Sequence, residues 1–275
     1  MFGALALVSS IMWGTADFGA GRLSTRLPVP AVVGGSQFFG LVLMIVVATA
    51  TSEWSADLGY LPWGLLAGGL GVAGLMCFYA ALASGPNGVV APITSTGVLM
   101  PLLVGVAIGS WPTVTQWWGV VTIMVGLVLT GLPELRSGGS RTAVMLALLA
   151  AVFFGGSLTA IGQGSQVSVV MTMTSMRFLV VGGLIVVALR FRTVGGIRRT
   201  DLPALSAVGV LDVGANLTYG LSTTFGQLAV SAVLASLYPV VTMILAWWVL
   251  REKLRPIQYA GVLAVLVGVA LSIGQ

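Results

Sequence analysis

The sequence predicts an all-α polytopic membrane protein of ten transmembrane helices, built as two inverted five-helix repeats. Three observations carry that prediction. The 275 residues are 57% hydrophobic and only 7% charged, with a mean hydropathy of +1.07, whereas a water-soluble domain is about 25% charged. The apolar runs continue for roughly twenty residues, enough to span about 30 Å of hydrocarbon as a helix, and lack the alternating ten-residue pattern of an outer-membrane strand. The two halves also repeat each other at an offset of about 140 residues. The 38 glycines follow no three-residue period and lie inside the apolar runs, where small residues let membrane helices approach closely.

Ten windows of spanning length follow one another. The first, 2–21, lacks the charged start of a signal peptide and has a counterpart in mid-chain, so it is read as a mature helix. Turn residues at 22–30 separate it from 29–49, and the polar stretch 53–62 leads into 62–83. Ser84-Gly85-Pro86-Asn87-Gly88 precedes 89–109, and Ser110-Trp111-Pro112 precedes 113–132. The linker at 133–140 divides the chain into repeats at 1–135 and 140–275. The second repeat holds windows at 142–162, 168–189, 203–225, 229–250 and 256–273. No polar stretch exceeds about fourteen residues, which leaves no room for an ATPase or signalling domain.

Loop charge orients these helices. All twelve Lys and Arg residues except Arg177 fall in odd-numbered loops, from Arg22 and Arg26 in the first to Arg251, Lys253 and Arg255 in the ninth. The second loop carries Glu53 and Asp57. The positive-inside rule puts the odd loops in the cytoplasm and both termini outside. The pI near 10.0 is thereby a matter of topology, and no nucleic-acid partner is expected. Several chemistries drop out. There is no histidine, the commonest acid–base catalyst and metal ligand. Cys77 is the single cysteine, so no internal disulfide forms. No serine-nucleophile elbow, Walker loop, HExxH or CxxC pair is present. No enzyme activity, cofactor or metal is expected.

The repeat is visible residue by residue. Trp13-Gly14 aligns with Phe154-Gly155, Gln37-Phe38 with Arg177-Phe178, and Tyr79 with Tyr219. Val98-Leu99-Met100-Pro101 aligns with Ser236-Leu237-Tyr238-Pro239, and Gln116, Gly119 and Gly126 align with Gln258, Gly261 and Gly268. Five helices is an odd number, so the second copy enters the membrane upside down, a common plan of secondary transporters with substrate near the midplane. With Trp-Gly early in helix 1, proline in helices 4 and 9, the run from Arg251 to Pro256 and the glycines of the last helix, this pattern resembles the EamA-type drug/metabolite transporters over essentially the whole chain. The resemblance implies a ten-helix, basket-shaped secondary transporter, many members of the family exporting amino acids or related metabolites. The chain departs from the family at Ser110-Trp111, where an acidic residue is frequent. Its loop charges also place the termini opposite to many members.

An ionisable group at a helix centre costs about 2.5–3.5 kcal/mol on insertion scales, so each needs a partner or a task. Arg177 and Asp212 each lie about nine residues into adjacent antiparallel helices and so reach one depth. They are either a buried ion pair that fixes packing or a substrate site. A guanidinium binds carboxylates bidentately, and a carboxylate holds an ammonium or a proton. Together they suit a zwitterion, with Asp212 as the proton-coupling group. Asn216 and Tyr219 continue the Asp212 face of helix 8. Gln37, the repeat mate of Arg177, donates either into a cavity or to a neighbouring backbone. Trp13, Tyr79, Tyr219 and Tyr238 make either an aromatic wall for an apolar or cationic substrate or ordinary packing. Asp17, near the cytoplasmic end of helix 1, is expected to snorkel or to pair with Arg22. Pro92 and Pro101 in helix 4 and Pro239 in helix 9 mark hinges or static kinks.

The function expected is secondary active transport of small organic metabolites, amino acids or related zwitterions, by alternating access across the cytoplasmic membrane. The alternatives are export of organic cations or drugs and uptake of sugars or nucleosides. From a different class, the chain could be a lipid flippase or a non-transporting membrane partner. The partners expected are the lipid bilayer, a small-molecule substrate and a coupling proton. A monomer suffices, because both repeats lie in one chain.

Overall fold

The computed structural model describes residues 1–54, 57–84, 93–135, 141–191, 196–251 and 255–273, and among them every regular element is helical. Apolar segments fold this way because hydrocarbon offers the backbone no partner, so each N–H and C=O must be satisfied within its own helix. The first half contributes α1 (Phe2–Ser24), α2 (Val29–Ala50), α3 (Leu61–Ser84), α4 (Leu99–Ala107) and α5 (Val114–Leu135). The second contributes α6 (Arg141–Ser165), α7 (Val169–Phe191), α8 (Leu202–Phe225), α9 (Leu228–Ala235), α10 (Tyr238–Leu250) and α11 (Pro256–Ile273).

Among the described residues, six stretches are long and apolar enough to cross a membrane: Val29–Ala50, Leu58–Phe78, Arg141–Ser165, Val169–Val186, Arg199–Phe225 and Leu228–Leu250. Ile93–Ala107, Val114–Leu129 and Pro256–Ser272 are apolar but shorter. Helix α1 is not among the six, because Ser9, Ser10, Thr15 and Asp17 dilute its apolar character.

Helix starts follow local chemistry. Ser168 Oγ accepts the Met171 N–H at 3.0 Å and caps α7. The repeat mates Gln116 and Gln258 have the same role. Each side-chain oxygen accepts the N–H three residues earlier, from Thr113 and from Arg255, both at 2.8 Å.

The ninth segment departs from the continuous helix expected over 229–250. It breaks at Ser236-Leu237, and Pro239 falls in the first turn of α10. In the first half a 3-10 turn, Thr96–Val98, precedes α4, with Pro101 as the third residue of that helix. Pro239 therefore lies in the first turn of its helix, while Pro101 follows the 3-10 turn inside the helical stretch Ile93–Ala107. In a first turn the ring replaces an N–H that has no intrahelical acceptor. Pro92 lies outside the described residues.

Helices pair mainly between the halves. Helix α5 runs along α11, α3 along α6 and α1 along α8, while α2 lies on α7 and α8 and α7 lies on α3. The contacts are reciprocal between the halves: α1 lies on α8 as α6 lies on α3, and α2 on α8 as α7 on α3. The α5–α11 crossing is built on glycine. A Cβ at Gly119 would meet the Gly268 carbonyl oxygen at 2.7 Å, and one at Gly126 would meet that of Gly261 at 2.7 Å. The aligned glycines thus face each other across an antiparallel contact. Helix α9 is buried along its whole length, as are Ser236 and Leu237 after it.

Candidate functional site: a carboxylate held between the halves

Four helices converge on Asp212 of α8. Arg177 of α7 has a side chain only 2% exposed, against 24% for Asp212, and a lone guanidinium in such a place would be expensive. Its Nη2 lies 2.7 Å from Asp212 Oδ2, close but not aligned as a hydrogen bond, so the contact is an ion pair. Its Nη1 donates to Gln37 Oε1 of α2. Gln37 Nε2 in turn donates to Asp212 Oδ2 at 3.2 Å. The other carboxylate oxygen, Oδ1, accepts from Trp13 Nε1 of α1 at 3.2 Å and from Asn216 Nδ2 at 3.3 Å. Asn216 Nδ2 also donates to the Asp212 backbone oxygen at 2.7 Å. The Asp212 carboxyl thus accepts three hydrogen bonds, from Gln37, Trp13 and Asn216, beside the Arg177 ion pair.

Small residues permit this convergence. A Cβ at Gly209 of α8 would collide with the Ser36 carbonyl oxygen, so only glycine lets α2 come close enough for Gln37 to reach Asp212. Helix α1 is clamped on two sides. Ser9 Oγ donates to the Ala215 carbonyl at 2.8 Å, and Thr242 Oγ1 donates to that of Gly14 at 3.0 Å. A Cβ on Gly14 would lie 2.6 Å from the Tyr238 carbonyl oxygen, which seats Trp13 beside the α9–α10 break.

The aromatic residues divide by role. The Trp13 ring lies 5.9 Å from that of Tyr219 and 6.3 Å, edge-on, from that of Tyr238. Tyr219 is fully buried, and its hydroxyl donates to the Leu158 carbonyl of α6 at 3.1 Å. It backs the indole and joins α8 to α6. Tyr79 belongs to α3, but its side chain lies outside the described residues.

Of the two expectations for Asp17, snorkelling or a pair with Arg22, the pair is not found. Among the described residues Asp17 makes no ion pair, and Arg22, five residues on, points to another side of the helix. Its side chain is exposed and sits one turn after Trp13 on the same face. It therefore lies beside the indole that donates to Asp212. Depth along α1 hid it, and its spacing from Trp13 was the available signal. Gly209 was missed because one more glycine in an apolar helix carries no local mark. Among the described residues no group of His, Cys, Asp and Glu is placed to hold a metal ion.

The profile of the EamA-like transporter family matches this chain twice, over residues 1–132 and 141–274. The chain belongs to the EamA-like transporter family. It is a multi-pass membrane protein and a transporter of the drug/metabolite type, a family of transporters and not of enzymes. A solved structure described as "Crystal structure of protein" is similar over 99% of this chain and 96% of its own, with a TM-score of 0.80 at 15% identity. That likeness shows a shared fold. No match is found among the curated proteins.

Proposed function

We propose that this EamA-like transporter is a secondary active transporter that carries small organic metabolites, amino acids or related zwitterions, across the cytoplasmic membrane by alternating access. The observation that carries the proposal is the polar node itself, in which α1 and α2 of one half meet α7 and α8 of the other at Asp212. Groups this costly to bury are retained where they serve a pathway or a substrate.

The proposed architecture is ten spanning segments in two inverted repeats. Gln37 and Arg177, 140 residues apart and equivalent in the alignment, touch each other. Residues related by a two-fold axis meet only at that axis, so this contact supports a pseudo-two-fold at the site. The interchange of helix pairs supports it too. Two loop contacts support odd-numbered loops on one side and even-numbered loops on the other, and loop charge favours the odd side as the cytoplasmic one. Arg26 Nη2 lies 3.1 Å from Asp201 Oδ1, joining loops one and seven. Ser168 Oγ donates to Glu53 Oε2 at 2.7 Å, joining loops six and two.

Arg177 is enclosed and committed to Asp212 and Gln37, so a substrate carboxylate reaches it only when that pair opens. Protonation of Asp212 would loosen the pair, which is how a coupling proton would act here. The accessible side is acidic and aromatic, and that observation supports a second reading, export of organic cations.

The test is counterflow with purified protein in liposomes, preloaded with an amino-acid mixture and challenged with labelled amino acids, alongside Arg177→Ala and Asp212→Asn. Saturable exchange lost in both variants is expected. Exchange of organic cations alone would select the second reading, and no exchange of either class would contradict transport through this site.

A further inference from the structure

Two basic loops far apart in sequence meet at one end of the helices. In a single apolar cluster Leu23, Leu27 and Val32 pack with Leu205, and Ile197 packs against them, so the α1–α2 turn is seated on the start of α8. The chain neighbours of that cluster, Arg22 and Arg26 in loop one and Arg198 and Arg199 in loop seven, are all exposed. The acid between them, Asp201, is 3% exposed and already engaged. Its Oδ1 lies 3.1 Å from Arg26 Nη2, and its Oδ2 accepts the Arg198 backbone N–H at 2.9 Å. Among the described residues Arg22, Arg198 and Arg199 make no ion pair. Orientation of the chain requires cations in these loops but not their convergence. Next to the arginines, Pro203, Ala207 and Val210 form an exposed face of α8 on the side opposite Asp212.

We propose that these four arginines bind the phosphate headgroup of an anionic phospholipid, with its acyl chains along the Pro203–Val210 face of α8. Guanidinium groups take phosphate oxygens in bidentate pairs, and each basic group at an anionic membrane surface adds to the attraction. One phosphate held from both loops ties α1 and α2 to α8, the helices that carry Trp13, Gln37 and Asp212. The lipid is a brace for that frame and is not itself carried across.

Phosphatidylglycerol titrated into the purified full-length protein in a neutral detergent tests this, with phosphatidylcholine of the same chains as the reference. Native mass spectrometry reads the bound lipid, and melting reads its effect. Phosphatidylglycerol should bind about tenfold or more tightly than phosphatidylcholine and raise the melting temperature. Arg198→Gln with Arg199→Gln should weaken phosphatidylglycerol by about tenfold or more, with an unchanged melting temperature when no lipid is added. Arg22→Gln with Arg199→Gln, one cation from each loop, should act alike. Arg251→Gln with Arg255→Gln, in loop nine, should bind phosphatidylglycerol as the unmutated protein does. Equal binding of the two lipids by the unmutated protein, or full binding of phosphatidylglycerol by either folded loop-seven variant, would overturn the proposal. An equal loss in the loop-nine variant would overturn it too, because the attraction would then be to net charge. Glycerol 1-phosphate that raises the melting temperature as much as phosphatidylglycerol would assign the patch to a soluble phosphate and overturn the lipid.

Discussion

Asp212 gathers donors from α1, α2, α7 and its own helix, and that crowding sets the effect of each substitution. Asp212→Asn leaves the Arg177 charge buried and unpaired, and breaking a buried pair from one side costs about 3–5 kcal/mol. Because Asp212 is 24% exposed, a loss near the lower end, about 3 kcal/mol, is expected in detergent unfolding. Arg177→Met combined with Asp212→Leu should recover most of that stability while exchange stays absent; a double variant no more stable than Asp212→Asn would contradict the account. The Arg177–Asp212 pairing was legible in the sequence, since counting from the starts of two adjacent helices brings both to one depth. The bonds from Trp13 and Gln37 were not. They depend on rotation and close approach of helices far apart in the chain, and α2 comes close only because residue 209 is glycine. Asp17 was placed by depth alone, and depth says nothing about which face of a helix a residue occupies.

Between elements, contacts of small residues carry the architecture. Gly209→Val would drive α2 off α8 and separate Gln37 from Asp212. Liposome exchange should fall to background, and overpacking should cost about 1–3 kcal/mol in melting. Exchange at the unmutated rate would show that the α2–α8 approach does not matter. Gly268→Leu should cost a similar 1–3 kcal/mol, roughly, at the α5–α11 crossing, which is remote from Asp212, so binding by the protein that remains folded should be unchanged. The helices themselves were largely legible, because apolar runs of spanning length bounded by Gly, Pro and charge leave few alternatives. The break at Ser236-Leu237 was not. Nothing local prevents helix there, and the break sits where the Tyr238 carbonyl packs on Gly14, a contact 224 residues away in sequence. Pro239 lies just after that break, in the first turn of α10.

Across the whole molecule, two contacts at opposite ends of α2 define its sides: Arg26–Asp201 before the helix and Glu53–Ser168 after it. In a protein with Cys77 replaced by serine, single cysteines at 26 or 201 should react with an impermeant thiol reagent only from the cytoplasm. Those at 53 or 168 should react only from outside, and the reverse pattern would invert the orientation read from loop charge. The most direct test of the central claim, that access to Asp212 alternates between the two sides, uses the same background with Trp13→Cys. The account predicts that this cysteine is labelled from either side of the membrane, and that substrate slows both reactions. Labelling from one side alone, with and without substrate, would contradict it.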